Sequence, residues 1–201
     1  LLSTSQAACM PRAEDFPDAR FEVFIRQNHQ AGGDFYDVIA SGRHVFDYIV
    51  ADAAGHDLGA SLWTAAFKAL LSEHATALHT PAELFRLVNR SLVRILPEHG
   101  YFTAIYARLN RAGNRLTLVN AGHPCAVLMS GQTREIRLVE QDGDVLGMFS
   151  DASFGITEIP VRPGDRVFLY SDGLIEHDGR RDGGMAGFLS WCRQTVDLDL
   201  A

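Results

Sequence analysis

The chain has 201 residues, 47% of them hydrophobic, and a formal charge of −7. That length fits one domain with a real core, and aromatic and β-branched residues spread throughout exclude a disordered acidic tail. Singly scattered Lys and Arg offer no groove for a nucleic-acid backbone, since the densest basic pair, Arg180 and Arg181, sits among Asp and Gly.

Residues 1–15 are polar and irregular and read as a linker or the end of an upstream helix, stopped near Pro11; residues 16–201 read as the folded domain. The chain starts without Met and without a signal-peptide pattern, which suggests a fragment or a trimmed chain. Cys9, Cys125 and Cys192 are odd in number and far apart, with no CxxC or Cys/His spacing, so three thiols in a reducing cytoplasm are expected. No apolar run reaches the ~18 residues of a membrane span.

Alternation at Phe21, Val23 and Ile25 predicts a first strand. Phe35–Ala40 and His44–Ala51 predict two more, joined by a hairpin turn at Ser41, Gly42 and Arg43. Leu58, Leu62, Ala66, Ala69 and Leu70 then fall at helical spacing, over about 57–75. A second helix starts at Thr80 as cap, Pro81 as first residue and Glu83 as the partner of a capping box, and Pro97 with Gly100 ends it. Strands are expected at Tyr101–Leu109, Leu116–Ala121, Ala126–Met129, Thr133–Val139, Phe154–Val161 and Arg166–Tyr170, and a last helix over about 186–196. Strands, two consecutive helices and a further run of strands imply an α+β fold with mostly antiparallel sheets.

Three acidic residues stand where a strand meets a glycine-containing turn. They are Asp34 in Gly32-Gly33-Asp34-Phe35-Tyr36-Asp37, Asp52 in Asp52-Ala53-Ala54-Gly55-His56, and Asp172 in Tyr170-Ser171-Asp172-Gly173. Carboxylates on rigid strand ends, beside glycines that let backbone carbonyls approach, suit hard cations such as Mg²⁺ and Mn²⁺. Two such ions would hold a phosphate and lower the pKa of an attacking water. Asp34 and Asp37 are three apart, so a regular strand points them to opposite faces, and Asp34, beside the paired glycines, is the candidate.

In order, the motifs G-G-D-F-Y-D, D-A-A-G-H, N-A-G-H-P, L-G-M and R-P-G-D-R-V-F-L-Y-S-D-G resemble the bacterial branch of the PPM (metal-dependent) protein serine/threonine phosphatases, typified by SpoIIE and RsbU. The resemblance covers about residues 16–180. It implies a four-layer α-β-β-α sandwich of two mostly antiparallel sheets flanked by helices, with 16–201 as the catalytic domain. It implies a centre of two Mn²⁺ or Mg²⁺ ions, with Asp52 bridging, the Ala53 carbonyl as backbone ligand, Asp172 as second carboxylate and Asp34 holding the metals or their waters. The implied substrate is phosphoserine or phosphothreonine on an anti-sigma factor antagonist of the STAS type, in a cytoplasmic partner-switching pathway. Activity is expected to depend on an upstream sensor or receiver domain or on dimerisation through the N-terminal segment and the helix at 57–75.

The sequence departs from the family pattern at three places. Asp57 replaces a common Gly and is expected to start the following helix. Val145 stands where Pro is frequent, with little consequence expected. The late Asp-Asp-x-Thr segment has no match: Asp197 and Asp199 are weak substitutes, and a C-terminal strand that is missing, disordered or lost stays open. That gap supports a rival expectation, a pseudophosphatase acting as a binding module. His56 and His123 are expected to shape their loops, His123 by bonding within its own turn. Arg26 and His29 are minor candidates for approaching the phosphate.

Overall fold

The computed structural model describes residues 10–25, 33–54, 58–175 and 181–194. Eight strands lie among them: β1 (Asp34–Gly42), β2 (Val45–Ala53), β3 (Phe102–Asn110), β4 (Arg115–Ala121), β5 (Ala126–Met129), β6 (Ile136–Val139), β7 (Ile156–Pro160) and β8 (Arg166–Phe168). Three α-helices accompany them: α1 (Leu58–His74), α2 (Pro81–Ile95) and α3 (Arg181–Gln194). A five-stranded sheet runs β1-β2-β3-β4-β7 and a three-stranded sheet runs β6-β5-β8, with every strand pairing antiparallel.

Alternation along the strands divides the interior into layers. Phe35, Ile49, Ala51, Phe102, Ala104, Tyr106 and Val119 point from the first sheet onto Phe67, Leu71, Leu84, Phe85 and Leu92 of α1 and α2. Phe67 stacks on Phe102 at 4.8 Å between centroids and meets Phe35 edge-on at 6.0 Å. Each such buried aromatic contributes roughly 2–3 kcal/mol through lost apolar surface. The opposite faces of β3 and β4 bury Ile105, Ala107, Leu116 and Leu118 against Ala126, Leu128 and Val139 of the second sheet. Val127 and Tyr170 on the outer face of that sheet meet Phe188 and Cys192 of α3. The result is the α-β-β-α layering.

Two polar devices fix the helices. Thr80 caps α2 by accepting from the Glu83 N–H at 3.3 Å, while Glu83 accepts from the Thr80 N–H at 2.8 Å. Arg108 on β3 grips buried Asp47 on β2 with two bonds of 2.7 and 2.9 Å and donates to the His79 carbonyl at 2.6 Å, pinning the loop between α1 and α2.

The residues 21–25 form no strand. Phe21 instead packs edge-on against Tyr48, and Val23, Phe24 and Ile25 are exposed. Phe16 and Ala19 of the same segment cover Val38 and Phe46 on the inner face of β1 and β2. The first hairpin turns at Arg43 and His44, not around Gly42, which pairs with Val45 beyond a bulge. The strand expected from Thr133 begins at Ile136, because Ser130–Glu135 closes a turn with Arg134 at φ 59°.

Candidate active site

The antiparallel register of β1 and β2 sets Asp34 directly opposite Asp52, and β3 sets Thr103 on the other side of Asp52. Residues opposite one another in a ladder share a face, so Asp34, Asp52 and Thr103 all point toward the second sheet. Asp172 arrives from that sheet: the chain leaves β8 extended through Ser171 and turns at once in a short 3₁₀ helix, Asp172–Leu174. Asp34 and Asp172 are exposed at the rim and Asp52 is half-buried.

The three carboxylates feel one another. Burial first, then the charges of Asp34 and Asp172, push Asp52 up to about 7. Burial also raises Asp34, a hydrogen bond from Ser171 opposes that rise, and the charge of Asp172 adds to it. Concentrated negative charge of this kind is what a divalent cation relieves.

Gly33 shows why glycine precedes Asp34. A Cβ there would stand 2.4 Å from both the Ala53 carbonyl oxygen and Asp52 Oδ1. The main chain of β1 thus lies against the carbonyl and the carboxylate offered at the end of β2. The Ala53 N–H donates to the Gly33 carbonyl at 3.1 Å, and the Ala54 N–H to the Tyr101 carbonyl at 2.9 Å, which hold that strand end in place. An all-oxygen donor set with an ordered backbone carbonyl fits Mg²⁺ or Mn²⁺. Among the described residues no group of three or more His, Cys, Asp or Glu side chains stands close enough together to hold a metal ion, so the three carboxylates face a common corner without forming a ligand cluster.

Asp37 takes no part. It lies on the helix face of β1, buried, and pairs with Lys68 of α1 at 2.9 Å. His123 reaches beyond its own turn: Nδ1 lies 2.9 Å from Thr103 Oγ1, while Asn120 exchanges two bonds with the His123 main chain, at 2.7 and 2.8 Å. The bonding within its turn expected of His123 is present through the main chain, and the ring adds a contact to β3, because the antiparallel pairing of β3 and β4 carries Thr103 beside the turn that follows Asn120. Sequence reading missed Thr103 and Ser171; the S-D-G motif was the available signal for the latter. His56, Asp57, Arg26, His29, Asp197 and Asp199 lie outside the described residues. Two open concavities of about 510 and 530 Å³ lie away from this corner, one at the hairpin turns around Arg43 and Arg111 and one beside β1 around Lys68.

Two antiparallel sheets enclosed by helices, with an acidic corner where the sheets meet, define a PPM-type phosphatase fold. The family described as Stage II sporulation protein E (SpoIIE) matches residues 43–197, and the chain belongs to that family. It is 25% identical to the phosphoserine phosphatase RsbP of Bacillus subtilis over 161 residues, covering 78% of this chain and 40% of that protein. It is 26% identical to the phosphoserine phosphatase RsbU of the same organism over 148 residues, covering 73% of this chain and 44% of that protein. The chain therefore spans less than half the length of these relatives. The SiaA-PP2C domain of Pseudomonas aeruginosa superposes with a TM-score of 0.82 at 20% identity, over 98% of this chain and 81% of that one. No helix among the described residues is long and apolar enough to cross a membrane.

Proposed function

We propose that this chain is the catalytic domain of a divalent-metal-dependent protein phosphatase that hydrolyses phosphoserine or phosphothreonine on a regulatory protein of the STAS type. The carrying observation is that Asp34 and Asp52 stand opposite each other on one sheet, within electrostatic reach of Asp172 from the other, with Gly33 leaving room for the Ala53 carbonyl. Family membership and the phosphoserine phosphatase relatives support the reading.

Asp52, Asp34, Asp172 and the Ala53 carbonyl would hold two Mn²⁺ or Mg²⁺ ions. When bound, such ions supply Lewis acidity toward the phosphate oxygens and the attacking water. The protein's own contribution is to present oxygens from two rigid sheet ends and keep the carboxylates ionised when a cation compensates them. The residues 16–201 form the domain in this reading, and residues 1–15 connect it to an upstream sensor or receiver domain or to a second copy.

The test is Mn²⁺-dependent phosphate release from a phosphoserine peptide or an aryl phosphate. Turnover is expected to vanish with EDTA and to fall by about 100-fold or more in Asp52→Asn. Undiminished turnover in Asp52→Asn would sink the reading. Mn²⁺ uptake without any turnover would favour the binding-module alternative.

A further inference from the structure

Basic residues are scattered along this sequence, yet three of them share one side of α2. Arg86, Arg90 and Arg94 follow one another at four-residue intervals, which stacks them on one face of a helix. All three are exposed, and among the described residues none of them forms an ion pair. Two have some compensation. Glu83 stands one turn before Arg86, although its carboxylate is committed to the Thr80 cap. Arg94 lies in the last turn, where a cation suits the helix end. Arg90 has neither, and it meets a like charge one turn away on both sides, an arrangement that destabilises a helix. The fold thus keeps a strip of positive charge, about 12 Å long, on a chain whose formal charge is −7.

The strip is continuous with the acidic corner. α2 ends at Ile95, and the chain enters β3 at Phe102, the cross-strand partner of Ala53. Leu146 exchanges two main-chain bonds with Phe102, at 2.8 and 2.9 Å. The loop then runs back along α2 to Asn89, the residue before Arg90, and leaves Met148 40% and Phe149 47% exposed. Exposed apolar side chains on an anchored loop, bordered by Arg, have the make-up of a protein-binding surface.

We infer that Arg86, Arg90 and Arg94, with Met148 and Phe149 beside them, form the docking surface for the phosphoprotein substrate, an acidic stretch of which lies along α2 while its phosphoserine enters the corner. This rests on the phosphatase reading above. Charge complementarity selects that occupant. A phosphoprotein brings negative charge to a negative chain and to three carboxylates, and the strip supplies the attraction that offsets this repulsion.

Two synthetic peptides test this on the whole chain with Mn²⁺. Each carries phosphoserine, a Gly/Ser linker of about ten residues that extends to about 33 Å, and a tail of either Glu or Gln. In about 0.1 M salt, kcat/KM for phosphate release is expected to favour the Glu tail by about 10-fold, through KM, and in about 1 M salt the preference is expected to vanish. Arg90→Gln is expected to cut the preference to about threefold, and the triple variant Arg86→Gln/Arg90→Gln/Arg94→Gln to abolish it. Thermal melting reports folding separately: the triple variant should melt no lower than wild type, because like charges at four-residue spacing are removed. A wild type without preference for the Glu tail, or a preference that survives in the triple variant, overturns the docking surface while leaving the phosphatase reading standing. If only an aryl phosphate is turned over, fluorescence anisotropy of the two labelled peptides decides by the same ratio. A wild type that releases phosphate from neither the peptides nor an aryl phosphate overturns both. Sedimentation covers the other occupant: a wild-type dimer that the triple variant fails to form would give this face to a second copy and overturn the substrate assignment.

Discussion

At Gly33 a single hydrogen atom separates a working corner from a blocked one. An added Cβ would meet the Ala53 backbone oxygen and the Asp52 carboxylate at 2.4 Å, well inside van der Waals contact; the carboxylate can rotate away, but the backbone oxygen cannot. Gly33→Ala must therefore push the start of β1 away from the end of β2, lengthening the 3.1 Å bond from the Ala53 N–H. Overpacking of this kind costs about 1–3 kcal/mol, and the displacement falls on Asp34 and the Ala53 carbonyl together. The expected outcome is a drop in Mn²⁺-dependent turnover of about 100-fold with the fold retained, read by phosphate release and thermal melting. Gly187→Ala makes the same change on α3, where an added Cβ meets nothing within 4 Å. It should stabilise the protein by about 0.5–1 kcal/mol, as alanine does in a helix interior.

At the scale of elements, α2 does more than cover the sheet. Asn89, 2% exposed, accepts from the Gly147 N–H at 2.7 Å and donates to the Phe149 carbonyl at 2.8 Å, clasping the loop that carries the L-G-M motif. Gly147 has φ +89°, and a Cβ there would stand 2.4 Å from Leu96 Cδ1, so the glycine lets the loop settle on α2. Asn89→Ala removes the partner of two part-buried main-chain groups and should lower stability by about 1–3 kcal/mol, against about 1 kcal/mol for Thr80→Ala at the helix cap. Urea midpoints compare the two, and an unchanged midpoint in Asn89→Ala would show that the clasp adds nothing. The cap was legible because Thr80, Pro81 and Glu83 act on their immediate neighbours. The clasp was not, because Asn89 and Gly147 are far apart in sequence and only packing brings them together. The same limit explains Phe21–Ile25: alternation records which side chains could share a face, but a strand also needs a neighbour, and here Phe21 finds Tyr48 instead. Glycine beside an acid marked Asp34, Asp52 and Asp172 individually. Their mutual electrostatic reach depends on the β1–β2 register and on the approach of the second sheet, neither of which the motifs contain.

Across the whole molecule, the corner where the sheets meet makes stability depend on pH in two opposing ways. Burial pushes the His123 ring from 6.5 down to about 4, against a smaller pull from the Tyr170 main chain. The unfolded chain therefore takes up a proton below about 6.5 that the folded chain refuses, so the contribution of neutral His123 is present above that pH and lost as pH falls toward 4. Burial raises Asp34, Asp37 and Asp52 above the usual carboxylate range, so these groups act with the opposite sign: protonation favours the folded state, and that gain is lost as pH rises, for Asp52 through about 7. A raw stability curve in EDTA mixes the two. The difference between wild type and His123→Asn removes the carboxylates and isolates the histidine, since Asn does not titrate and can still meet Thr103 where Nδ1 does. Linkage puts the change in that difference at about 2 kcal/mol between about pH 7.5 and about pH 5, with wild type losing ground in acid. Urea unfolding at the two pH values measures it, and a pH-independent difference would mean that the ring between the sheets is charged or solvated, not buried and neutral.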